Sequence, residues 1–103
     1  MNMDKLLKQA QKMQAQMAAV QEELEKTIVE GTAGGGMVKA KVNGHGEVLS
    51  VSISPEVVDK DEVEMLEDLV LSAIKDAAKQ SKELANSKMN AVTGGMPGMP
   101  GFM

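Results

Sequence analysis

The sequence predicts an α+β fold in which two long helices flank a three-stranded antiparallel meander. Three observations lead to this prediction. Residues 1–30 contain neither Gly nor Pro and repeat apolar side chains at helical spacing. Residues 37–54 alternate between apolar and polar side chains, as half-buried strands do. Residues 59–92 return to helical spacing after Ser54-Pro55. The chain has 103 residues, which is the length of one domain.

The first helix is predicted from residue 3 to residue 26. Its apolar residues are separated alternately by three and four positions, which is a heptad seam; they are Met3, Leu6, Ala10, Met13, Met17, Val20 and Leu24. A helix of this length measures about 36 Å at 1.5 Å per residue. On so small a domain it must extend beyond the sheet or meet another long helix.

Three strands are predicted in residues 26–32, 36–44 and 46–54, joined by short turns that imply an antiparallel meander. Gly34, Gly35 and Gly36 supply positive φ angles for the first turn, and Asn43-Gly44 is a strong hairpin signal, after which Gly46 can host a bulge. Alternation predicts that each later strand has one buried and one solvated face. The expected buried faces carry Val38, Ala40 and Val42 in one strand and Leu49, Val51 and Ile53 in the other.

Ser54-Pro55 ends the sheet, because Pro cannot donate to a ladder. The second helix is predicted over residues 59–92, with a capping box formed by Asp59 and Glu62 or, almost as well, by Asp61 and Glu64. The second half of its apolar stripe consists mostly of small residues. Such residues allow another helix to approach closely.

This pattern divides the chain into a single domain in residues 1–93 and a tail in residues 94–103. The tail reads GGMPGMPGFM, a composition that favours a flexible segment over a helix or a paired strand. A short anchor through Phe102 and Met103 is the alternative. The core is expected to be thin, because the whole chain has one Phe, no Trp, no Tyr and ten Met. Dimerisation would cover apolar surface that one copy leaves exposed.

The sequence favours a protein that is not an enzyme and has no cofactor, metal or small-molecule substrate. The glycine-rich stretch in residues 31–48 lacks the Gly-Lys-Ser/Thr of a phosphate-binding loop, and the chain has no room for a dinucleotide-binding sheet. His45 is the only histidine and there is no Cys. No run of about 18 apolar residues indicates a membrane span, and no apolar signal segment begins the chain. The absence of Cys fits a reducing cytoplasm.

Charge is unevenly distributed along the chain. The formal net charge is −4, and every cation is a Lys. Residues 1–21 hold three lysines against one acid and residues 69–103 hold four against two, whereas residues 55–68 hold seven acids against one Lys. The expected topology places the basic segments at the outer ends of the two helices. Two lysine sets at helical spacing form the predicted DNA-binding site: Lys5, Lys8, Lys12, Lys75, Lys79 and Lys82.

These lysines predict weak, salt-sensitive and largely sequence-independent binding to the phosphates of double-stranded DNA. Lys lacks the planar fork with which Arg reads guanine edges, and Phe102 is the only aromatic residue that could stack on a base. The alternative for each set taken alone is an ordinary solvated helix face. A competing function is a non-enzymatic adaptor for replication or recombination proteins, based on the heptad seam, the small-residue stripe and the tail.

The chain also resembles a known family. The N-terminal Met/Gln/Lys helix, the segment VEGTAGGGMVKAKVNGHGEVLSVSISPEVV, the helix LEDLVLSAIKDAAKQS and the Pro-Gly-Phe tail are similar to the YbaB/EbfC nucleoid-associated proteins. The resemblance implies an α–β–β–β–α fold and a homodimer whose helices project like tweezers. It also implies cytoplasmic, nucleoid-located DNA binding that alters DNA conformation, with effects on gene expression and nucleoid organisation. It identifies no binding residue by motif.

Overall fold

The computed structural model describes residues 3–93 and confirms the predicted order of elements. They are α1 (Met3–Lys26), β1 (Ile28–Ala33), β2 (Val38–Asn43), β3 (Val48–Ile53), a 3-10 turn (Pro55–Val57) and α2 (Val63–Thr93). The strands form one antiparallel sheet in the order β1-β2-β3, which is the predicted meander. The predicted tail, residues 94–103, lies outside the described residues.

The core lies between α2 and the first two strands. Val38, Ala40 and Val42 of β2 are fully buried against Ala73 and Ala77 of α2. The predicted alternation of β2 is therefore confirmed. The small residues Ala73 and Ala77 of α2 pack against the sheet and not against another helix. A Cβ added to Gly31 of β1 would lie 2.3 Å from both the Ala73 carbonyl oxygen and the Ala77 nitrogen.

β3 does not have the buried face that its alternation predicts. Its register pairs Val51 with Ala40 and Ile53 with Val38, so these side chains point to the side of the sheet that α2 covers. Nevertheless, Val51 is 40% and Ile53 38% exposed, and all six residues of β3 are exposed. The reason is the position of α2, which crosses β1 and β2 and leaves β3 uncovered in the single chain.

The turns agree with the glycine pattern in part. Gly34, Gly35 and Gly36 have φ angles of 61°, 68° and 92°, as predicted for the first turn. In the second turn only Gly46 has a positive φ, and the register irregularity lies between Lys41 and Val42 rather than at Gly46. Gly44 serves a different purpose: its N–H donates to the Leu24 carbonyl at 2.7 Å. A Cβ there would lie 2.6 Å from that oxygen, so the hairpin touches the end of α1.

The start of α2 differs from the predicted one. The helix begins at Val63, four residues after Asp59, and the predicted capping boxes do not form at its N-terminus. The Asp59 carboxylate instead accepts the N–H of Asp61 at 2.9 Å, and the Glu62 N–H donates to the Asp59 carbonyl at 2.9 Å. These bonds close a turn ahead of the helix, because an Asp side chain competes with helix formation by binding nearby backbone.

The two helices leave the sheet at the same end and run side by side. Leu24 is buried where α1 reaches the sheet, and Ser81 of α2 donates its hydroxyl to the Asn43 carbonyl at 2.8 Å. Beyond these points Lys88 forms an ion pair with Glu23. The molecule is consequently elongated, with extents of 71 × 26 × 16 Å. From the Glu23–Lys88 ion pair α1 continues for about 30 Å and α2 for about 8 Å, so α1 projects roughly 22 Å farther.

Candidate nucleic-acid interface

The first lysine set lies on the projecting part of α1. Lys5, Lys8 and Lys12 are all exposed, and their spacing of three and four residues places them along one side of the helix. The heptad seam beside them is also mostly exposed in the single chain. Met3 is 69% and Leu6 44% exposed. The predicted stripe is therefore accessible, at the end of α1 farthest from the sheet.

The second lysine set is accessible too, but it is not at an outer end. Lys75, Lys79 and Lys82 are exposed on the same stretch of α2 that packs Ala73 and Ala77 onto the sheet. They lie above the sheet, on the solvent side of the helix. The prediction that α2 carries its lysines at its outer end is wrong for this set. At the outer end of α2 the lysine is Lys88, which forms an ion pair with Glu23.

The two sets do not meet in one cluster. Measured along the helix axes through the Glu23–Lys88 contact, Lys12 and Lys82 are separated by roughly 25 Å. The distance from Lys5 to Lys75 along the same path is roughly 46 Å. One turn of duplex DNA is about 34 Å long. The lysines are thus spread over a length comparable to a turn of duplex DNA and are not gathered around a pocket for a single phosphate.

Five lysines lie outside the predicted site, and two of them belong to the sheet. Lys39 and Lys41 are exposed on the face of the sheet opposite α2. In the register, Lys39 lies between Thr32 and Ser52, and Lys41 lies between Glu30 and Ser50. Alternation alone assigns this face to solvent. The sequence therefore predicts that Lys39 and Lys41 are exposed. It does not predict whether they bind a ligand, because a solvated lysine and a binding lysine have the same alternating pattern.

His45 has a structural contact. Its Nε2 lies 2.9 Å from the Gln21 carbonyl oxygen near the end of α1. Its backbone N–H donates to the Asn43 side-chain oxygen at 2.9 Å, and that same oxygen accepts the N–H of Glu47 at 3.0 Å. The ring therefore joins the β2–β3 hairpin to α1. Within residues 3–93, no three His, Asp or Glu side chains come together as a metal site would require.

The fold and these surfaces define a class of protein: a small α+β protein with two sets of lysines on exposed helical surfaces. Among the described helices, none combines the length and apolar character needed to cross a membrane. The family model described as the YbaB/EbfC DNA-binding family matches residues 1–96. The chain belongs to this family.

Individual relatives are similar over nearly their whole length. A nucleoid-associated protein of Chloroflexus aurantiacus is 58% identical over 99 residues, which cover 96% of this chain and 99% of the relative. A nucleoid-associated protein of an Exiguobacterium strain is 59% identical over 101 residues, covering 98% and 95%. The crystal structure of an uncharacterized protein from Helicobacter pylori has a TM-score of 0.73 at 27% identity, covering 90% of this chain and 96% of that one.

Proposed function

We propose that the chain is a nucleoid-associated protein of the cytoplasm that binds double-stranded DNA as a homodimer. Its lysines contact phosphates with little dependence on sequence, and binding changes the conformation of the DNA, with effects on gene expression and nucleoid organisation. One observation supports this function above the others: a member of a DNA-binding family exposes two lysine stripes along helices long enough to follow a duplex.

The chemistry of the surface supports phosphate contact over base reading. All eleven cations are lysines, which act as point charges and match phosphate without the bidentate geometry that guanine recognition uses. Seven of the acids are concentrated in residues 55–68, which connect the sheet to α2 and form the first turns of α2. Binding can then proceed through local positive charge and counterion release.

An uncovered apolar surface supports the homodimer. A groove of about 390 Å³ lies between β3 and α2, and its apolar lining is Ile53, Val63, Leu66, Val70, Leu71 and Ile74. Leu71 is 50% and Val51 40% exposed beside it. The fully buried core comprises only a few side chains of α2 and β2 together with Leu24. A second copy on this groove would bury the face that the alternation of β3 reserves for a core.

The edges of the sheet also support a second copy of the chain beside β3. α2 binds the backbone of β1: the Thr32 N–H donates to Asp76 Oδ2 at 3.0 Å, and Gln80 Nε2 donates to the Glu30 carbonyl at 2.8 Å. β1 is thereby protected from pairing with another strand. Within residues 3–93, no side chain makes a comparable bond to the backbone of β3. An unprotected edge strand is a site where another chain can add.

DNA binding is tested with a triple variant on α1, Lys5→Gln with Lys8→Gln and Lys12→Gln. We expect weaker gel-shift binding to duplexes of any sequence, because three positive charges leave a surface that contacts phosphate. The slope of log affinity against log salt should fall in magnitude by about 2.7 per protomer if each Lys neutralises one phosphate.

The matched control removes the same charge from other places: Lys26→Gln, Lys41→Gln and Lys60→Gln. It should bind DNA more tightly than the α1 variant. Equal losses in the two triple variants would show that net charge rather than the α1 stripe governs binding. A folded dimer that shifts no duplex even at low salt would instead favour the protein–protein adaptor.

A further inference from the structure

A second groove lies between the outer parts of the two helices. It has a volume of about 690 Å³ and runs along the end of α2 that carries Ala91 and Val92. Met13, Ala19 and Val20 of α1 form its apolar floor, and the Glu23–Lys88 ion pair lies at its inner end. Gln9, Lys12 and Gln16 also line the groove, so an apolar floor is combined with polar side chains. The ion pair lies on the side toward the sheet, and the projecting end of α1 lies on the other side.

The apolar surface of α1 continues past the end of α2. Since α1 projects roughly 22 Å farther than α2, its first turns have no neighbouring helix among the described residues. Met3, Leu6 and Leu7 lie there, and they are 69%, 44% and 55% exposed. Exposed apolar residues that continue one groove in this way indicate a surface that another segment covers.

The segment that follows α2 starts at this groove. α2 ends at Thr93, directly after Ala91 and Val92, and the next residues are GGMPGMPGFM. They bear no charged side chain, so no ionised side chain would lose water on an apolar surface. Ten residues reach at most about 33–36 Å, which exceeds the uncovered length of α1.

The segment also has a repeat that fits the heptad seam. Met96-Pro97-Gly98 is followed by Met99-Pro100-Gly101 and then by Phe102. Pro, and the position before Pro, both favour the extended polyproline conformation, which has three residues per turn. In that conformation Met96, Met99 and Phe102 share one face at intervals of about 9 Å. Seven residues of α1 advance about 10.5 Å, a nearly equal interval.

We propose that residues 96–103 dock in cis on the groove between α1 and α2, with Met96, Met99 and Phe102 against the heptad seam of α1. The occupant is this chain's own segment, which chain connectivity holds next to the groove at high effective concentration. Docking covers Met13 and the projecting seam and leaves Lys5 and Lys8 in water, whereas Lys12, which lines the groove, borders the docked segment. The proposal concerns contacts within one chain and does not depend on DNA binding.

A spin label tests the docking directly. The chain has no Cys, so Gly98→Cys provides a unique site for a nitroxide in the full-length protein. The protein carries ¹³C-methyl methionine, whose signals report on both ends of the molecule. We expect reversible paramagnetic broadening of Met13 and Met17, while Met65 at the start of α2 stays sharp. Adding Met99→Ala and Phe102→Ala to the labelled protein should sharpen Met13 and Met17 again, with an unchanged circular dichroism spectrum.

Two results would overturn the proposal. The first is a Met13 signal no broader than that of Met65, which means that the segment does not prefer the groove. The second comes from mixing isotope-labelled chains that lack the nitroxide with nitroxide-bearing chains that lack the isotope. Broadening of Met13 in that mixture equal to the broadening within one chain would place the segment on a second copy instead. The single-chain proposal predicts sharp signals in the mixture.

Discussion

At the scale of single residues, glycines in this chain have two different tasks. Gly35 provides a positive φ of 68° in an open turn, and a Cβ added there meets no atom within 4 Å. Gly31 has no positive φ but allows α2 to touch β1. The sequence predicts the first task, because a Gly triplet between strands indicates a turn. The second depends on which helix crosses the strand, and Gly31 itself gives no sign of it.

We predict that Gly31→Ala destabilises the protein by about 2–3 kcal/mol, in the upper part of the range for overpacking a tight contact. The added methyl group would collide with backbone atoms of Ala73 and Ala77, which cannot rotate away. The measurement is the midpoint of urea denaturation, followed by circular dichroism at one protein concentration.

Gly35→Ala is the control for this substitution. It adds the same methyl group in open space, and its cost comes only from the left-handed backbone, about 1 kcal/mol. A Gly31→Ala protein as stable as the Gly35→Ala protein would contradict the close packing of α2 on β1.

His45 shows the limit of residue types as functional signals. A solitary histidine between glycines suggests catalysis or metal binding by type alone, but the sequence has no second His and no Cys to act with it. In the structure the ring binds the Gln21 carbonyl. Gly44 beside it binds the Leu24 carbonyl. Both contacts hold the hairpin against the end of α1, a role that no local pattern predicts because Gln21 lies 24 residues away.

At the scale of elements, the two helices differ in how much of their length packs against the sheet. α2 packs its small residues on the sheet and then continues beside α1, whereas α1 touches the sheet only near its end. The period of the sequence predicts both helices, and the start of α1 is as predicted. The start of α2 is four residues late, because two Asp residues close a turn ahead of it. The residue at which a helix begins depends on whether nearby polar side chains bind the backbone N–H groups in a turn or leave them to the helix.

The position of a Lys on α2 should decide its share of DNA binding. We predict that Lys82→Gln weakens duplex binding more than Lys88→Gln does. Lys82 is exposed, whereas the charge of Lys88 is already partly neutralised by Glu23. Gel shifts at low salt measure the difference. Each substitution removes one charge, so equal losses would contradict the idea that the ion pair keeps Lys88 from the DNA.

At the scale of the whole molecule, one chain leaves two apolar surfaces uncovered. One borders β3 and is proposed for the second protomer, and the other borders α1 and is proposed for the chain's own tail. The two surfaces lie on different parts of an elongated molecule. They can therefore be tested separately with substitutions of the same type.

We predict that Leu71→Glu converts the homodimer to a monomer at micromolar concentration, because it places a charge in the groove between β3 and α2. Light scattering measures the change in mass. Leu7→Glu is the matched control, since Leu7 on α1 is 55% exposed and Leu71 is 50% exposed. The control should remain a dimer. A dimeric Leu71→Glu protein that is still folded would exclude the proposed interface.

The sequence by itself determined the order and kind of the elements, the meander, the first turn and the family. These features depend on the local period of apolar residues, on turn chemistry and on a resemblance that spans the chain. All three are visible in the linear order of the residues. Only the tertiary structure decided where α2 lies. That position leaves β3 exposed, turns Gly31 into a contact point and places Lys75, Lys79 and Lys82 above the sheet. Alternation shows that a strand has an apolar face, but the element that covers that face is chosen by packing between distant segments.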